Sequence, residues 1–155
     1  MAENTPANEV TINMQYIKDM SLEIPHAPQI FTKINAQPQI GVDLHIDTAK
    51  LNNDGQFEVV LNLRINAQIE DEPLFIMELA YAAACTVKVP AEHEEPILFI
   101  EIPRMIFPYA RQIISSNLSE AGLPPLMLTP IDFAAVYKNK KEQEQKNAEE
   151  NKKVN

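Results

Sequence analysis

The chain has 155 residues, of which 45% are hydrophobic, and a formal net charge of −9 at pH 7. A chain of this length fits one domain and can bury a core without a cofactor. Cys85 is the only cysteine, so no intramolecular disulfide can form, and the three glycines are too scattered for a phosphate-binding loop. The acidic charge argues against nucleic acid, because Lys and Arg must neutralise its phosphates.

The ends of the chain and its hydropathy bear on localisation. Residues 1–9 are polar and are predicted to be disordered rather than a signal peptide. No stretch approaches the roughly 18 consecutive apolar residues needed to span a bilayer. Together with the cysteine usage, this predicts a cytoplasmic protein that does not insert into membranes.

Residues 10–24 show the first strand pattern. Even positions are apolar except Lys18, and odd positions are polar except Ile17. Alternation of this length predicts a long strand with one buried face. The inversion at Ile17 and Lys18 indicates either a bulge or a charge that protects an edge strand.

Three further strands follow a proline-containing crossing segment at residues 25–38. Alternation predicts strands over residues 40–47, 57–69 and 75–89. An Asn-Asn-Asp-Gly turn at residues 52–55 and an acidic turn at residues 70–73 separate them. Four strands joined in series by short connections predict an antiparallel sheet.

The period then changes to that of helices. A helix is predicted over residues 104–121, with Pro103 in its first turn, Pro108 kinking it or delaying its start, and Gly122 at its C-terminal cap. A second helix is predicted to start near Ile131 or Asp132. Apolar positions stop after residue 138, which predicts one domain over residues 10–138 and a flexible charged tail over 139–155.

The outward positions of the strands are mostly acidic. They carry six acids against Arg64 and Lys88, namely Asp19, Glu23, Asp43, Asp47, Glu58 and Glu78. Such a face can steer a basic partner. By themselves, however, these residues favour an ordinary solvated surface.

The residues that catalysis or metal binding would need do not cluster. His26, His45 and His93 lack metal-ligand spacing, and Cys85 falls in the buried register of the fourth strand. Glu92, Glu94 and Glu95 are interpreted as part of a solvated loop. The sequence therefore predicts a protein that is not an enzyme and has no metal or cofactor. Apolar residues in the irregular segments indicate either core closure or a groove for extended apolar chains.

Three runs of residues resemble one known family. Residues 16–31 (YIKDMSLEIPHAPQIF), 106–111 (IFPYAR) and 122–133 (GLPPLMLTPIDF) resemble SecB, the bacterial protein-export chaperone family, and the resemblance covers residues 8–138. It implies an α+β fold in which two helices pack on one face of a four-stranded antiparallel sheet. Two such chains would form a dimer with a continuous sheet, and two dimers would pack into a homotetramer.

The resemblance also implies a function and its sites. The chain would hold unfolded preproteins in a translocation-competent state and deliver them to the SecA ATPase. A SecA-binding surface is implied at Asp19, Glu23, Ile76 and Glu78, and a client-binding groove at Ile30, Phe31, Ile34, Val42, Leu44, Leu126, Phe133, Val136 and Tyr137. Two alternatives remain open at this point: a general ATP-independent holdase not dedicated to export, and a small-ligand protein or enzyme using the apolar cavity.

Overall fold

The computed structural model describes residues 8–154. Of the predicted disordered segment, residues 1–7 lie outside this range. The elements in chain order are β1 (Glu9–Glu23), a short 3-10 helix (Gln29–Lys33), β2 (Gln39–Lys50), β3 (Gln56–Ile69), β4 (Glu72–Lys88), α1 (Ala91–Pro96), a π-helical turn (Ile97–Glu101), α2 (Ile102–Glu120) and α3 (Phe133–Val154).

The four strands form one antiparallel sheet in the order β1-β4-β3-β2. The connection between β3 and β4 is a two-residue turn, in which Glu70 and Asp71 have φ angles of 51° and 65°. Both positions of such a turn require positive φ, which matches the twist of the paired strands. Gly55, at φ 75°, supplies the same freedom before β3. The predicted α+β fold is confirmed.

One face of the sheet packs against the helices and is called the helix face; the opposite one is called the open face. The core joins helix-face residues of β3 and β4 to α2. Cys85 lies in this core and is fully buried, and burial raises the pKa of its thiol to about 11. The core also contains Leu61, Ile65, Met77, Leu79, Ile102, Ile106, Ile114 and Leu118.

Two irregularities in β1 correct the simple alternation. Its register against β4 shifts between Ile12 and Met14 and again between Ile17 and Asp19. Each shift inserts one residue, and a one-residue slip moves the following side chains to the other face. Met14 and Tyr16 therefore lie on the open face, although alternation assigned them to the buried one. Of the two interpretations of the inversion at Ile17 and Lys18, the register shift between Ile17 and Asp19 bears out the bulge.

The long helix begins earlier than predicted, because α1, the π turn and α2 follow one another from Ala91 without a break. The N–H of Ile102 donates to the carbonyl of Ile97, a π-type bond that directly precedes Pro103. Pro103 has no N–H to donate to a preceding carbonyl. The π turn changes the backbone hydrogen bonding at this position, so the helix can continue through Pro103. The loop interpretation of Glu92, Glu94 and Glu95 was therefore wrong, since all three lie in α1.

The C-terminal cap of α2 follows the prediction. Gly122 has a φ of 85°, and the N–H of Leu123 donates to the carbonyl of Leu118 over 3.0 Å. This is the bond expected where a glycine in the left-handed region ends a helix. No helix in residues 8–154 is long and apolar enough to cross a membrane.

Helix α3 extends beyond the predicted domain boundary. Asp132 caps its start, because the N–H of Ala135 donates to Asp132 Oδ1 over 3.1 Å. The helix continues to Val154, so residues 139–154 are helical and largely exposed. The flexibility of this charged stretch stays a prediction.

Candidate functional site

The four residues predicted to bind SecA lie together on the open face. Strand β1 is hydrogen-bonded to β4, with Ser21 opposite Glu78 and Glu23 opposite Ile76. Asp19 lies opposite Ala80, the next open-face residue of β4. Directly opposite side chains in a sheet are about 5 Å apart at Cβ, and diagonal ones remain within reach of each other. Asp19, Glu23, Ile76 and Glu78 therefore form one surface, called the acidic patch.

A row of charges crosses the sheet beside the patch. Asp43 of β2 lies opposite Arg64 of β3, and Arg64 lies opposite Glu78 of β4. Arg64 Nη1 is 2.7 Å from Glu78 Oε1. A shallow pocket of about 330 Å³ is lined by these residues together with Asp19 and His45. The acidic patch is thus continuous, along the open face, with Asp43 at the β2 edge of the sheet.

The second bulge in β1 brings a further cation to the open face. Lys18 Nζ is 2.6 Å from Glu58 Oε1, and the Tyr16 hydroxyl donates to the other oxygen of the same carboxylate. Hydrogen bonds from Lys18 and Tyr16 lower the pKa of Glu58, and the bond to Glu58 raises the pKa of Tyr16 to about 12. The face therefore carries Lys18 in addition to Arg64 and Lys88.

An apolar groove runs along β2 on the helix face. Ile40, Val42, Leu44 and Ile46 alternate on this side of an edge strand, and Ile40 and Val42 are each 44% exposed. Six residue steps at the rise of a strand give the stripe a length of about 20 Å. The stripe joins two pockets, one near each end.

Helix α3 and the π turn build the first pocket, which has a volume of about 300 Å³. It is lined by Leu44, Ile46, Phe99, Val136 and Tyr137, with Lys140 at its edge. The rings of Phe99 and Tyr137 stack with centroids 5.8 Å apart, and Lys140 Nζ lies 4.0 Å from the Phe99 centroid.

Lys141 ties the same stretch of α3 to α1 through an ion pair with Glu95. The hydrogen bond from Lys141 to Glu95 raises the pKa of the Lys141 ammonium. The wall of the first pocket is therefore held by aromatic stacking and by charge.

The second pocket, of about 90 Å³, lies where the crossing segment meets the loop before α3. Its walls include Ile34, Ile40, Phe75 and Leu126. Two prolines of the loop, Pro124 and Pro125, complete it. Of the predicted groove residues, Phe31, Ile34, Leu44, Leu126, Val136 and Tyr137 are half-buried, and Val42 is exposed.

Two of the predicted groove residues do not line an open surface of this chain. Ile30 is 1% exposed and Phe133 is 2% exposed. Phe133 packs edge-on against Phe107 of α2, with centroids 5.8 Å apart. Both side chains therefore belong to the core rather than to the groove.

Sequence reasoning missed several lining residues, among them Ile40, Ile46 and Phe99. The alternation of β2 already contained the signal for Ile40 and Ile46. Phe99 could not be found in that way, because the prolines masked the helical run that carries it. Within residues 8–154, no group of three His, Cys, Asp or Glu side chains is arranged to hold a metal ion.

The arrangement of sheet and helices matches a known structure. A SecB-like chaperone from Mycobacterium tuberculosis, solved with a ChAD peptide from the HigA1 antitoxin, superposes with a TM-score of 0.66 over 79% of this chain and 90% of that one. The two sequences are 15% identical, so the match concerns the fold. The chain is an α+β protein with the fold of a SecB-like chaperone.

Sequence comparison identifies the family. The model of the preprotein translocase subunit SecB matches residues 3–144. The protein-export protein SecB of Rhodospirillum rubrum is 45% identical over 129 residues, covering 83% of this chain and 80% of that protein. The SecB of Paramagnetospirillum magneticum is 42% identical over 131 residues, covering 84% of each chain. The chain belongs to the SecB family and is a protein-export chaperone, which favours a binding role over catalysis.

Proposed function

We propose that this chain holds unfolded preproteins in the apolar groove and passes them to the SecA ATPase, which docks on the acidic patch. It acts in the cytoplasm as a homotetramer and hydrolyses no nucleotide itself. The observation that carries the proposal is the continuous apolar stripe of β2, which leads from the pocket at Ile34 to the pocket at Tyr137.

The groove suits an extended chain rather than a folded one. An extended segment of about six residues spans the stripe, and its alternate side chains point to the same side. Fully burying one large aliphatic or aromatic side chain contributes about 1.5–3 kcal/mol. After the entropy of ordering the client is subtracted, one groove binds modestly. Several grooves on one assembly raise the avidity through effective concentration.

This binding acts on clients by kinetic partitioning. A newly made preprotein exposes apolar segments before it folds, and the groove competes with collapse for those segments. Bound segments cannot join the client's own core, so folding is delayed while the chain remains associated. Release requires no energy source in the chaperone, only a partner that competes for the client.

The acidic patch supports docking of that partner through charge. Asp19, Glu23 and Glu78 are solvent-exposed, and exposed carboxylates of one sign accelerate the encounter with a basic surface. Ile76, half-buried among them, adds an apolar contact at the centre. The patch lies on the open face and the groove on the helix face, so client and SecA can bind at the same time.

Two exposed apolar surfaces support assembly. Met105 and Tyr109 on α2 are 48% and 55% exposed, and the edge strand β1 carries Met14 at 63% and Ile17 at 46%. Copies of the chain would pair through β1, which extends the sheet, and through α2. Covering both surfaces removes apolar area from water and occupies an unpaired strand edge.

Refolding assays with purified components test the holding step. A chemically unfolded preprotein is diluted with and without the chaperone in the absence of nucleotide, and recovery of its native fluorescence is followed. Delayed recovery that is relieved when SecA is added supports the export role. Delay that SecA does not relieve would support the alternative, a general holdase not dedicated to export.

A further inference from the structure

Arg64 of β3 lies on the open face between two acidic residues, Asp43 of β2 and Glu78 of β4. Its guanidinium forms the 2.7 Å ion pair with Glu78, and its neighbour across β2 is Asp43. The side chains of Arg64 and Glu78 are 53% and 51% exposed. The pair is therefore accessible to a docking protein.

Three carboxylates share a pocket with Arg64, and one of them, Glu78, forms an ion pair with it. Asp19, Asp43 and Glu78 line one shallow pocket with Arg64. A guanidinium keeps its charge at any physiological pH and presents several N–H donors in a planar fork. A basic side chain that approaches Glu78 from outside consequently meets a carboxylate that already has a partner.

We propose that Arg64 is a specificity-determining residue of the SecA-docking surface, an internal counter-ion that the cationic groups of SecA must displace from Glu78. The inference rests on the proposed docking function of the acidic patch. An exposed ion pair contributes little to stability, so it exchanges readily when a partner offers several charges together. A ligand with one isolated cation gains little by the same exchange. Arg64 would thus select for a multiply basic, correctly spaced partner.

The other open-face cations provide controls because they pair elsewhere. Lys18 binds Glu58, and Lys88 Nζ lies 3.8 Å from Glu9 Oε2. Replacing Lys88 by Gln changes the net charge by the same amount as replacing Arg64, but it leaves Glu78 paired. The two variants therefore separate a general increase in negative charge from the local release of Glu78.

The test measures the affinity of purified SecA for the full-length wild type and for Arg64→Gln, Glu78→Gln, the double variant and Lys88→Gln, at low and high salt. An exposed ion pair is worth at most about 1 kcal/mol. We therefore expect Arg64→Gln to bind SecA about threefold to tenfold more tightly than the wild type at low salt. Lys88→Gln should change the affinity by less than about twofold. The double variant should bind like Glu78→Gln, because the gain requires the released carboxylate.

Three results would overturn the inference in distinguishable ways. Glu78→Gln could weaken SecA binding while Arg64→Gln fails to strengthen it. The docking surface would then stand, but Arg64 would not compete with SecA for Glu78. If Glu78→Gln binds SecA as tightly as the wild type, the docking assignment of Glu78 fails and the role of Arg64 fails with it. If Arg64→Gln and Lys88→Gln increase the affinity for SecA equally, the increase comes from net charge and not from the release of Glu78.

Discussion

The ring of Phe99, in the π turn, stacks on the ring of Tyr137, in α3, with centroids 5.8 Å apart. The contact joins two segments that are far apart in the sequence and places both rings beside Leu44 and Ile46 of β2. The π turn thus shapes the wall of the groove as well as accommodating Pro103.

The first prediction concerns client binding. The double substitution Val42→Ser and Tyr137→Ser removes apolar surface from two accessible positions of the groove. Each loss of about 1 kcal/mol of contact corresponds to about a fivefold loss of affinity. We therefore expect at least about a tenfold higher chaperone concentration for the same refolding arrest.

Two further variants make this test specific. Leu51, 54% exposed in the loop after β2, lies outside both pockets, so Leu51→Ser should arrest refolding as the wild type does. Phe133→Ala should instead lower the free energy of unfolding by about 3–5 kcal/mol, because it opens a cavity in the core. Arrest unchanged in the groove variant would place the client site elsewhere.

The second prediction concerns the acidic patch. Asp19→Asn, Glu23→Gln and Glu78→Gln together should fold normally and still arrest refolding, since exposed charges contribute less than about 1 kcal/mol each. Their affinity for SecA should fall about tenfold or more, and the wild-type affinity should decrease with salt. Calorimetric titration with SecA at two ionic strengths measures both effects.

A matched variant controls for net charge in that experiment. Glu92→Gln, Glu149→Gln and Glu150→Gln change the charge equally but lie on α1 and α3. This control should bind SecA within about twofold of the wild type. If both triple variants lose the same affinity, long-range charge rather than the patch attracts SecA.

The third prediction concerns assembly. Light scattering should give a mass of about 70 kDa, four times the 17.5 kDa chain. Met105→Asp with Tyr109→Asp places two charges on the exposed side of α2 and should reduce the mass to that of a dimer, because unpaired charges are costly in an interface. A monomer mass for the wild type at micromolar concentration would contradict the tetramer.

The fourth prediction concerns pH and Glu58. Bonds from Lys18 and Tyr16 hold the pKa of the Glu58 carboxyl below its usual value of 4.5. A lowered carboxyl pKa stabilises the folded state above the unfolded-state pKa, and this contribution is lost as the pH falls through the folded-state pKa. Glu58→Gln should lower Tm by about 2–4 °C at pH 7, and the difference should shrink towards pH 3.

Thermal melts from pH 7 to pH 3 measure that difference directly. Glu120→Gln on α2, which is exposed, is the matched control and should leave Tm unchanged across the range. A wild-type advantage that stays constant down to pH 3 would mean that the carboxylate of Glu58 does not stabilise the fold through its charge.

The sequence by itself determined most of the secondary structure, because short-range rules govern it. Alternation identifies β2, β3 and β4, since a strand with one buried face must place apolar residues at every second position. Gly122 and Asp132 mark a helix end and a helix start through backbone geometry that depends on neighbouring residues alone. Strings of residues such as IFPYAR pointed to the family for the same reason: they are local.

Only the tertiary structure decided the features that depend on distant partners. The two bulges of β1 exist in its pairing with β4, and the first of them, between Ile12 and Met14, moves Met14 and Tyr16 to the open face. Phe133 is part of the core because α2 covers it. Val42 is part of the groove because α2 leaves it exposed at the edge of the sheet. Arg64 and Glu78 meet through strand order and register, which follow from packing the whole sheet against the helices rather than from either strand alone.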